Sequence, residues 1–106
     1  MLSDEELHRR YYKKESEIHG EGLFARKSIT EGEYMGEYDG PDVEDNGSHV
    51  LWVEDGDVWY ARDGKNLLRY LNHSARPHAE FIGFKLYAIR DIMPDEEITI
   101  DYGEHP

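Results

Sequence analysis

The stretch that decides the fold lies near the C-terminus and reads Glu97-Ile98-Thr99-Ile100-Asp101-Tyr102-Gly103. Its apolar residues alternate, which is the period of a β-strand with one buried face, so Ile98 and Ile100 are predicted to face the core. Tyr102 shares their parity and stands at the end of the strand. A tyrosine in that place either packs in the core with its hydroxyl satisfied or directs the hydroxyl into a site.

A second informative stretch reads Arg69-Tyr70-Leu71-Asn72-His73-Ser74. The leucines that precede and enter it have one-turn spacing, so a short helix is predicted over Asn66–Leu71. The polar cluster then follows an apolar turn directly. Asparagine offers both a donor and an acceptor, which suits a ligand with mixed polar groups. Asparagine and serine are also common in capped turns, and local sequence leaves both interpretations open.

The third stretch is Gly20-Glu21-Gly22. Two glycines around one residue permit a tight turn and a close approach of the backbone to a ligand. The stretch is not a dinucleotide-binding loop, because Ala25 stands where the spacing requires a third glycine. By itself it also fits an ordinary loop.

The rest of the chain predicts a mostly β fold made of many short strands between turn signals. Ser3 and Glu6 have the spacing of a capping box and predict a short N-terminal helix. The acidic stretch Asp39–Gly47 is predicted to be a solvated loop. The predicted strands are Tyr11–Ser16, Gly22–Arg26, Tyr34–Tyr38, His49–Val53, Val58–Ala61, Ala79–Ile89 and Glu97–Tyr102.

Composition limits the class of protein. The 106 residues suit one domain, carry 24 acidic against 12 basic side chains, and contain no cysteine. A net charge of -12 repels nucleic acid and anionic lipid and attracts basic partners, although solubility alone also explains it. Disulfides and cysteine-ligated metals are excluded. No apolar run is long enough to span a membrane and no signal peptide is visible, so a cytoplasmic location is expected.

The three stretches, with one more block, give the chain a recognisable order of motifs. It resembles the SET-domain family of protein-lysine methyltransferases over residues 11–103, nearly its whole length. All four motifs stand in the family's order and spacing, which is far more specific than any one of them. The motifs are Ser16–Ala25, Ile29–Gly40 with its Tyr38-Asp39-Gly40, Arg69–Pro77 and Asp95–Gly103.

The resemblance implies a single SET domain over residues 1–106, built from small curved β-sheets with a few short helices. A C-terminal pseudoknot would thread the third motif beneath the loop of the fourth, although such crossings are rare in proteins. This crossing would bring Asn72 and His73 beside Tyr102. The variable insert of the family would correspond to residues 41–65.

The resemblance also implies S-adenosylmethionine as the cofactor and the lysine ε-amine of a basic protein segment, such as a histone tail, as the methyl acceptor. The cofactor would lie against Glu21, Gly22, Asn72, His73 and Tyr102. No metal is expected, since His73 and His78 complete no recognised ligand set. Tyr102 matches the catalytic tyrosine of the family.

Tyr38 would assist Tyr102 in orienting the amine. Phe81 and Ile100 would line the lysine pocket, and because neither has a hydroxyl to hold a water, di- or trimethylation is expected. Tyr60, with Trp52 and Trp59, would flank a groove in which the substrate adds as a strand. Trp52 is more simply predicted to be a core residue.

The chain departs from the family in two ways. It lacks the cysteine-rich zinc segments, and Ala75 and His78 replace the cysteine and asparagine of the third motif. Another element must then close the lysine channel, such as the N-terminal residues, the substrate, or a second subunit in a homodimer. Action on histones would place the protein in the nucleus on chromatin.

Three other functions stay open. An inactive SET-like module could hold a basic peptide, or the methylated target could be a basic protein other than a histone. A small β-rich hydrolase is the most remote, because no nucleophile motif is present.

Overall fold

One α-helix, one 3₁₀ helix and ten β-strands form residues 2–101, the part of the chain that the computed structural model describes. Tyr102 and the residues after it lie outside the described residues. The elements are α1 (Asp4–Arg10), β1 (Tyr11–Glu15), β2 (Glu21–Ala25), β3 (Tyr34–Glu37), β4 (Asp42–Val43), β5 (Val50–Asp55), β6 (Val58–Asp63), the 3₁₀ helix (Leu67–Tyr70), β7 (Asn72–His73), β8 (Ala79–Ile82), β9 (Lys85–Ala88) and β10 (Glu97–Ile100).

Strand β10 is the centre of the larger sheet, whose order is β1-β2-β10-β8-β9-β3. It runs antiparallel to β2, with Ile98 opposite Leu23. It also runs parallel to β7, with Thr99 opposite Asn72 and Ile100 opposite His73. The third and fourth motifs are therefore adjacent, as the predicted crossing requires for the residues that the structure describes.

More residues of β10 are buried than the two isoleucines that the alternating pattern places in the core. Ile98 and Ile100 are buried, as predicted, but Thr99 between them is buried as well. Thr99 is enclosed because β10 has neighbours on both edges and packed residues on both faces. The Thr99 hydroxyl lies 3.0 Å from His78 Nδ1, which satisfies its hydrogen-bonding requirement.

The smaller sheet has the order β4-β6-β5 and falls within the predicted insert. Arg62 joins it to the larger sheet: its Nη1 donates to the Tyr38 carbonyl at 2.8 Å and to Glu37 Oε2 at 3.2 Å. Its guanidinium carbon also lies 3.9 Å from the centroid of the Phe84 ring. A half-buried guanidinium that stacks on a ring and donates from one nitrogen to two acceptors fixes the position of the insert more firmly than an exposed ion pair does.

Several local predictions are confirmed and two need correction. The capping box at Ser3 and the strand beginning at Tyr11 are present. The single strand predicted over Ala79–Ile89 is instead the hairpin β8–β9, because Gly83 adopts a left-handed conformation with φ of 64° and turns the chain. The loop predicted over Asp39–Gly47 contains the short strand β4.

The core joins the N-terminal helix to both sides of β10. Side chains that are almost wholly buried come from α1, β1, β2, β3, the 3₁₀ helix, β9 and β10: Leu7, Tyr11, Leu23, Met35, Leu68, Leu86, Ile92 and Ile98, the isoleucine at 92 lying between β9 and β10. In residues 2–101, no helix combines the length and apolarity needed to cross a bilayer.

Candidate functional site

The side chain of Asn72 is the point where three of the four motifs meet. Its Nδ2 lies 3.0 Å from the His19 carbonyl and 3.4 Å from the Glu21 carbonyl, both in the first motif. The same nitrogen lies 3.0 Å from Glu97 Oε2 in the fourth motif. Residues 19–22, Asn72 and Glu97 thus form one polar cluster, which we call the Asn72 notch.

Glu97 connects the residues of this notch through hydrogen bonds. The Ser16 hydroxyl lies 2.8 Å and 2.9 Å from its two carboxylate oxygens and also accepts from the Ile18 amide at 2.9 Å. A Cβ added at Gly22 would collide with the Glu97 carboxylate. Gly22 was predicted to leave room for a ligand, but the space that its missing side chain leaves is filled by Glu97.

The other predicted cofactor residues stand at the rim of the notch. Glu21 is exposed and forms an ion pair with Lys13 at 3.7 Å. His73 follows Asn72 in β7, and its Nδ1 lies 3.6 Å from Asp101 Oδ1. Glu21, Gly22, Asn72 and His73 are therefore brought together, whereas Tyr102 lies outside the described residues.

On the other side of β10, Tyr38, Phe81 and Ile100 line a single narrow cavity of about 20 Å³, enough for one water molecule. The rings of Tyr38 and Phe81 meet edge to face at 5.6 Å. The Tyr38 hydroxyl donates to the His49 carbonyl. Its ring packs against Gly64, where a Cβ would collide with the phenol.

An open groove of about 630 Å³ adjoins this cavity and shares Leu51, Phe81 and Ile100 with it. Strand β5 lines one side with consecutive residues, so the edge of the strand faces the groove. The opposite side is formed by β8 and the end of β10. The described lining residues include three carboxylates and neither lysine nor arginine: Glu54, Glu80 and Asp101.

The predicted aromatic residues divide between the groove and the surface. Trp59 and Trp52 line the groove. Trp52 is half-buried and donates from Nε1 to Asn46 Oδ1 at 3.2 Å, so the prediction of a core residue was wrong. Tyr60 is exposed and lines neither the groove nor the narrow cavity, because alternation along β6 directs it to the other face from Trp59.

His78 connects the third motif to β10. Its Nδ1 lies 3.0 Å from the Thr99 hydroxyl and its Nε2 lies 3.6 Å from Glu96 Oε2. Burial lowers the pKa of His78 below its ordinary value of 6.5, and the nearby positive charge of Arg90 lowers it further. The carboxylates of Glu96 and Glu97 oppose these effects and raise it.

Sequence reasoning missed Ser16 and Glu97 as parts of the site. Glu97 meets Asn72 only because β10 lies between β2 and β7, a pairing that the spacing of the motifs does not reveal. The structure also contains no group of three or more His, Asp or Glu residues, among those it describes, that could hold a metal ion.

Fold and site together define a β protein with a polar cluster and a narrow, partly apolar cavity on the two sides of one central strand. The SET-domain family model matches residues 20–103, most of the chain. The chain therefore belongs to the SET-domain family.

Relatives of known class share this domain. The chain is 33% identical over 111 residues to human Histone-lysine N-methyltransferase 2B and 36% identical over 110 residues to the Schizosaccharomyces pombe Histone-lysine N-methyltransferase, H3 lysine-4 specific. Each match covers 82% of this chain. The chain spans only 4% of the human relative and 12% of the yeast relative.

Solved structures agree with the fold. The methyltransferase domain of human Histone-lysine N-methyltransferase SETMAR superposes with a TM-score of 0.76 at 23% identity, covering 87% of this chain and 44% of that one. A structure from Plasmodium falciparum gives a TM-score of 0.70 at 20% identity, covering 91% of this chain and 95% of that one.

The lowered pKa of His78 predicts an acid-sensitive fold. Below about pH 6.5 the unfolded chain binds a proton that folded His78 does not, so stability falls as the pH drops through the range between the two pKa values. His78→Asn is expected to lose less stability than the unchanged chain as the pH falls from neutral to below about 6.5. Urea unfolding at each pH measures this.

The exposed His8→Asn is the matched control for the loss of one histidine. A change in pH dependence that both variants share would reflect the loss of a histidine and not the burial of His78. Identical pH dependences for His78→Asn and the unchanged chain would contradict the assignment.

Proposed function

We propose that this SET domain transfers a methyl group from S-adenosylmethionine to the ε-amine of a lysine in a basic protein segment, such as a histone tail. One observation carries the proposal. Consecutive residues of β10 face two different environments: Thr99 pairs with Asn72 of the notch, and Ile100 lines the apolar cavity. A methyl donor at the notch and a lysine amine that reaches the cavity from the adjoining groove would meet at the end of this strand.

The chemistry of the Asn72 notch suits the cofactor. S-adenosylmethionine supplies, when bound, a methyl group activated by a positively charged sulfonium. Its amino acid end carries an ammonium group, and the notch is rich in acceptors: the carbonyls of His19 and Glu21 and the carboxylate of Glu97. An acceptor-rich, negatively charged site favours a cationic ligand.

The apolar cavity would prepare the lysine for attack. A lysine amine has an ordinary pKa of about 10.4 and must lose a proton before its lone pair is available. Leu51, Phe81 and Ile100 provide apolar walls that favour the neutral amine. The positive charge of Arg69, which also lines the cavity, favours the neutral amine as well. Alignment of the amine with the methyl group would supply much of the acceleration.

Tyr38 would orient the amine rather than remove its proton. Its hydroxyl proton is engaged with the His49 carbonyl, so towards an amine the oxygen acts as an acceptor. Family resemblance assigns Tyr102 the main catalytic role, in which its hydroxyl would align the amine and the methyl group.

The groove would hold the substrate as an added strand. Strand β5 is an edge of the smaller sheet, and an edge strand offers unpaired backbone N–H and C=O groups. An extended peptide can pair with such an edge, while Glu54, Glu80 and Asp101 attract its basic side chains. A histone-like substrate would place the protein on chromatin in the nucleus.

Two finer expectations accompany this function. Phe81 and Ile100 would permit di- or trimethylation, because neither side chain anchors a water in the cavity. The substrate itself or a second copy of the chain would complete the cover over the lysine.

Methyl transfer tests the proposal directly. The purified protein, incubated with labelled S-adenosylmethionine and core histones, is expected to label lysine, and mass spectrometry should detect di- or trimethyl products. Tyr102→Phe should lower the rate by at least about 100-fold, because the hydroxyl that aligns the reacting groups is lost.

Exposed Tyr60→Phe is the matched control and should leave the rate within about twofold. Cofactor binding without transfer to any basic protein would favour the inactive peptide-binding module. Absence of both binding and transfer would contradict the proposed function. Monomethyl product alone at long times would contradict the expectation for Phe81 and Ile100.

The acidic groove predicts a separate effect on substrate affinity. Changing Glu54 and Glu80 together to glutamine removes two of the three carboxylates and should raise the KM for a basic peptide by about 5- to 20-fold, with kcat within about twofold. The effect should shrink at high salt, because exposed charges are screened.

The control changes Glu31 and Glu44 to glutamine, which alters net charge equally at exposed positions that line neither the groove nor the narrow cavity. Steady-state kinetics at low and high salt compares the two. Equal KM values for both double variants would show that the groove does not recognise the peptide.

A further inference from the structure

We infer that Glu97 is a positioning residue for the cofactor: with Ser16 it holds the amide of Asn72 so that its oxygen, Oδ1, accepts from the ligand's ammonium group. The inference rests on the proposed function, since it names the residue that prepares the notch for S-adenosylmethionine. Glu97 touches neither the reacting methyl group nor the lysine in this scheme.

The orientation of Asn72 follows from its surroundings. Three acceptors lie within 3.4 Å of Nδ2, and a carboxamide nitrogen is a donor only. Reversing the amide would place its oxygen against two carbonyls and a carboxylate, an arrangement with repulsion in place of hydrogen bonds. Within residues 2–101 no hydrogen bond is made to Oδ1, which leaves that oxygen for a donor from the ligand.

Glu97 contributes the charged member of the three acceptors and is itself held on two sides. The Ser16 hydroxyl lies within 2.9 Å of both carboxylate oxygens, and its oxygen accepts from the Ile18 amide in the turn between β1 and β2. The carboxylate therefore joins the first motif to Asn72 through one hydroxyl and one amide. Hydrogen bonds to a charged group are stronger and better directed than those between neutral groups.

Gly22 contributes to the same arrangement only by leaving room for a neighbouring side chain. Its missing side chain makes room for Glu97, whose Cδ would lie 2.8 Å from an added Cβ. The backbone of Gly22 has no positive φ, so alanine there is opposed by the carboxylate and the nearby Ser16 Cβ, not by backbone strain. Gly22→Ala should displace the carboxylate without removing any polar group.

A double-mutant cycle on cofactor binding tests the inference. Glu97→Ala and Gly22→Ala should each raise the Kd for S-adenosylmethionine, measured by calorimetry, by about 10-fold. In the double variant the added methyl group occupies space that Glu97 has vacated. Its Kd should therefore rise by about 10- to 20-fold, instead of the roughly 100-fold that independent sites would give.

A second measurement separates positioning from general damage to the fold. The unchanged chain should bind S-adenosylmethionine at least about 10-fold more tightly than the analogue that lacks the α-amino group. Glu97→Gln keeps the shape of the side chain but weakens its hydrogen bond to Asn72, because the charge is lost. The ratio of the two affinities should therefore fall by several-fold. Glu31→Gln, the matched control for the loss of one carboxylate, should keep the ratio, and thermal unfolding checks that all variants fold.

The outcomes are distinguishable. If the unchanged chain binds no S-adenosylmethionine, the proposed function and this inference both fail. If it binds with the expected selectivity but the Glu97 variants retain both affinity and selectivity, only the inference is overturned. If the increases in Kd caused by the two single substitutions simply multiply in the double variant, the Gly22 and Glu97 sites act independently. That result would also overturn the inference.

Discussion

The pairing of β10 with β2 on one edge and with β7 on the other is the constraint on which the rest of the structure depends. It places Asn72 opposite Thr99 and Leu23 opposite Ile98, so segments from the beginning, the middle and the end of the chain become neighbours. Burial on both faces makes the strand costly to displace, because Ile98, Thr99 and Ile100 are all enclosed. Because both the notch and the cavity contain residues of this strand, the strand fixes their relative position.

The architecture places complementary chemistry on the two sides of that strand. The notch holds acceptors and negative charge, which suit a cation. The cavity is lined by leucine, isoleucine and aromatic side chains together with the cation of Arg69, and both favour a neutral amine. Arg62, which joins the insert to the Tyr38 backbone, keeps the cavity beside the larger sheet. Separation of these two environments by a single strand is what makes a transfer between them geometrically reasonable.

Sequence reasoning predicted much of this but not all. The order of four motifs indicated the family, and alternation placed Ile98 and Ile100 in the core. Glu97 could not be recognised, because its partners are distant in sequence and meet it only through strand pairing. The hairpin β8–β9 was mistaken for one strand, since the apolar pattern continues through a turn that depends on the backbone freedom of Gly83. Tyr102, the predicted catalytic residue, lies outside the described residues and stays a prediction.

The central claim is that the cofactor occupies the Asn72 notch. The most direct measurement is a titration of the isotopically labelled protein with S-adenosylmethionine, followed by the NMR shifts of assigned backbone amides. The largest shifts should cluster at residues 19–22, 72–74 and 97–101, with little change in residues 42–47 of the insert. Saturable shifts centred on the insert, or no shifts at millimolar cofactor, would contradict it.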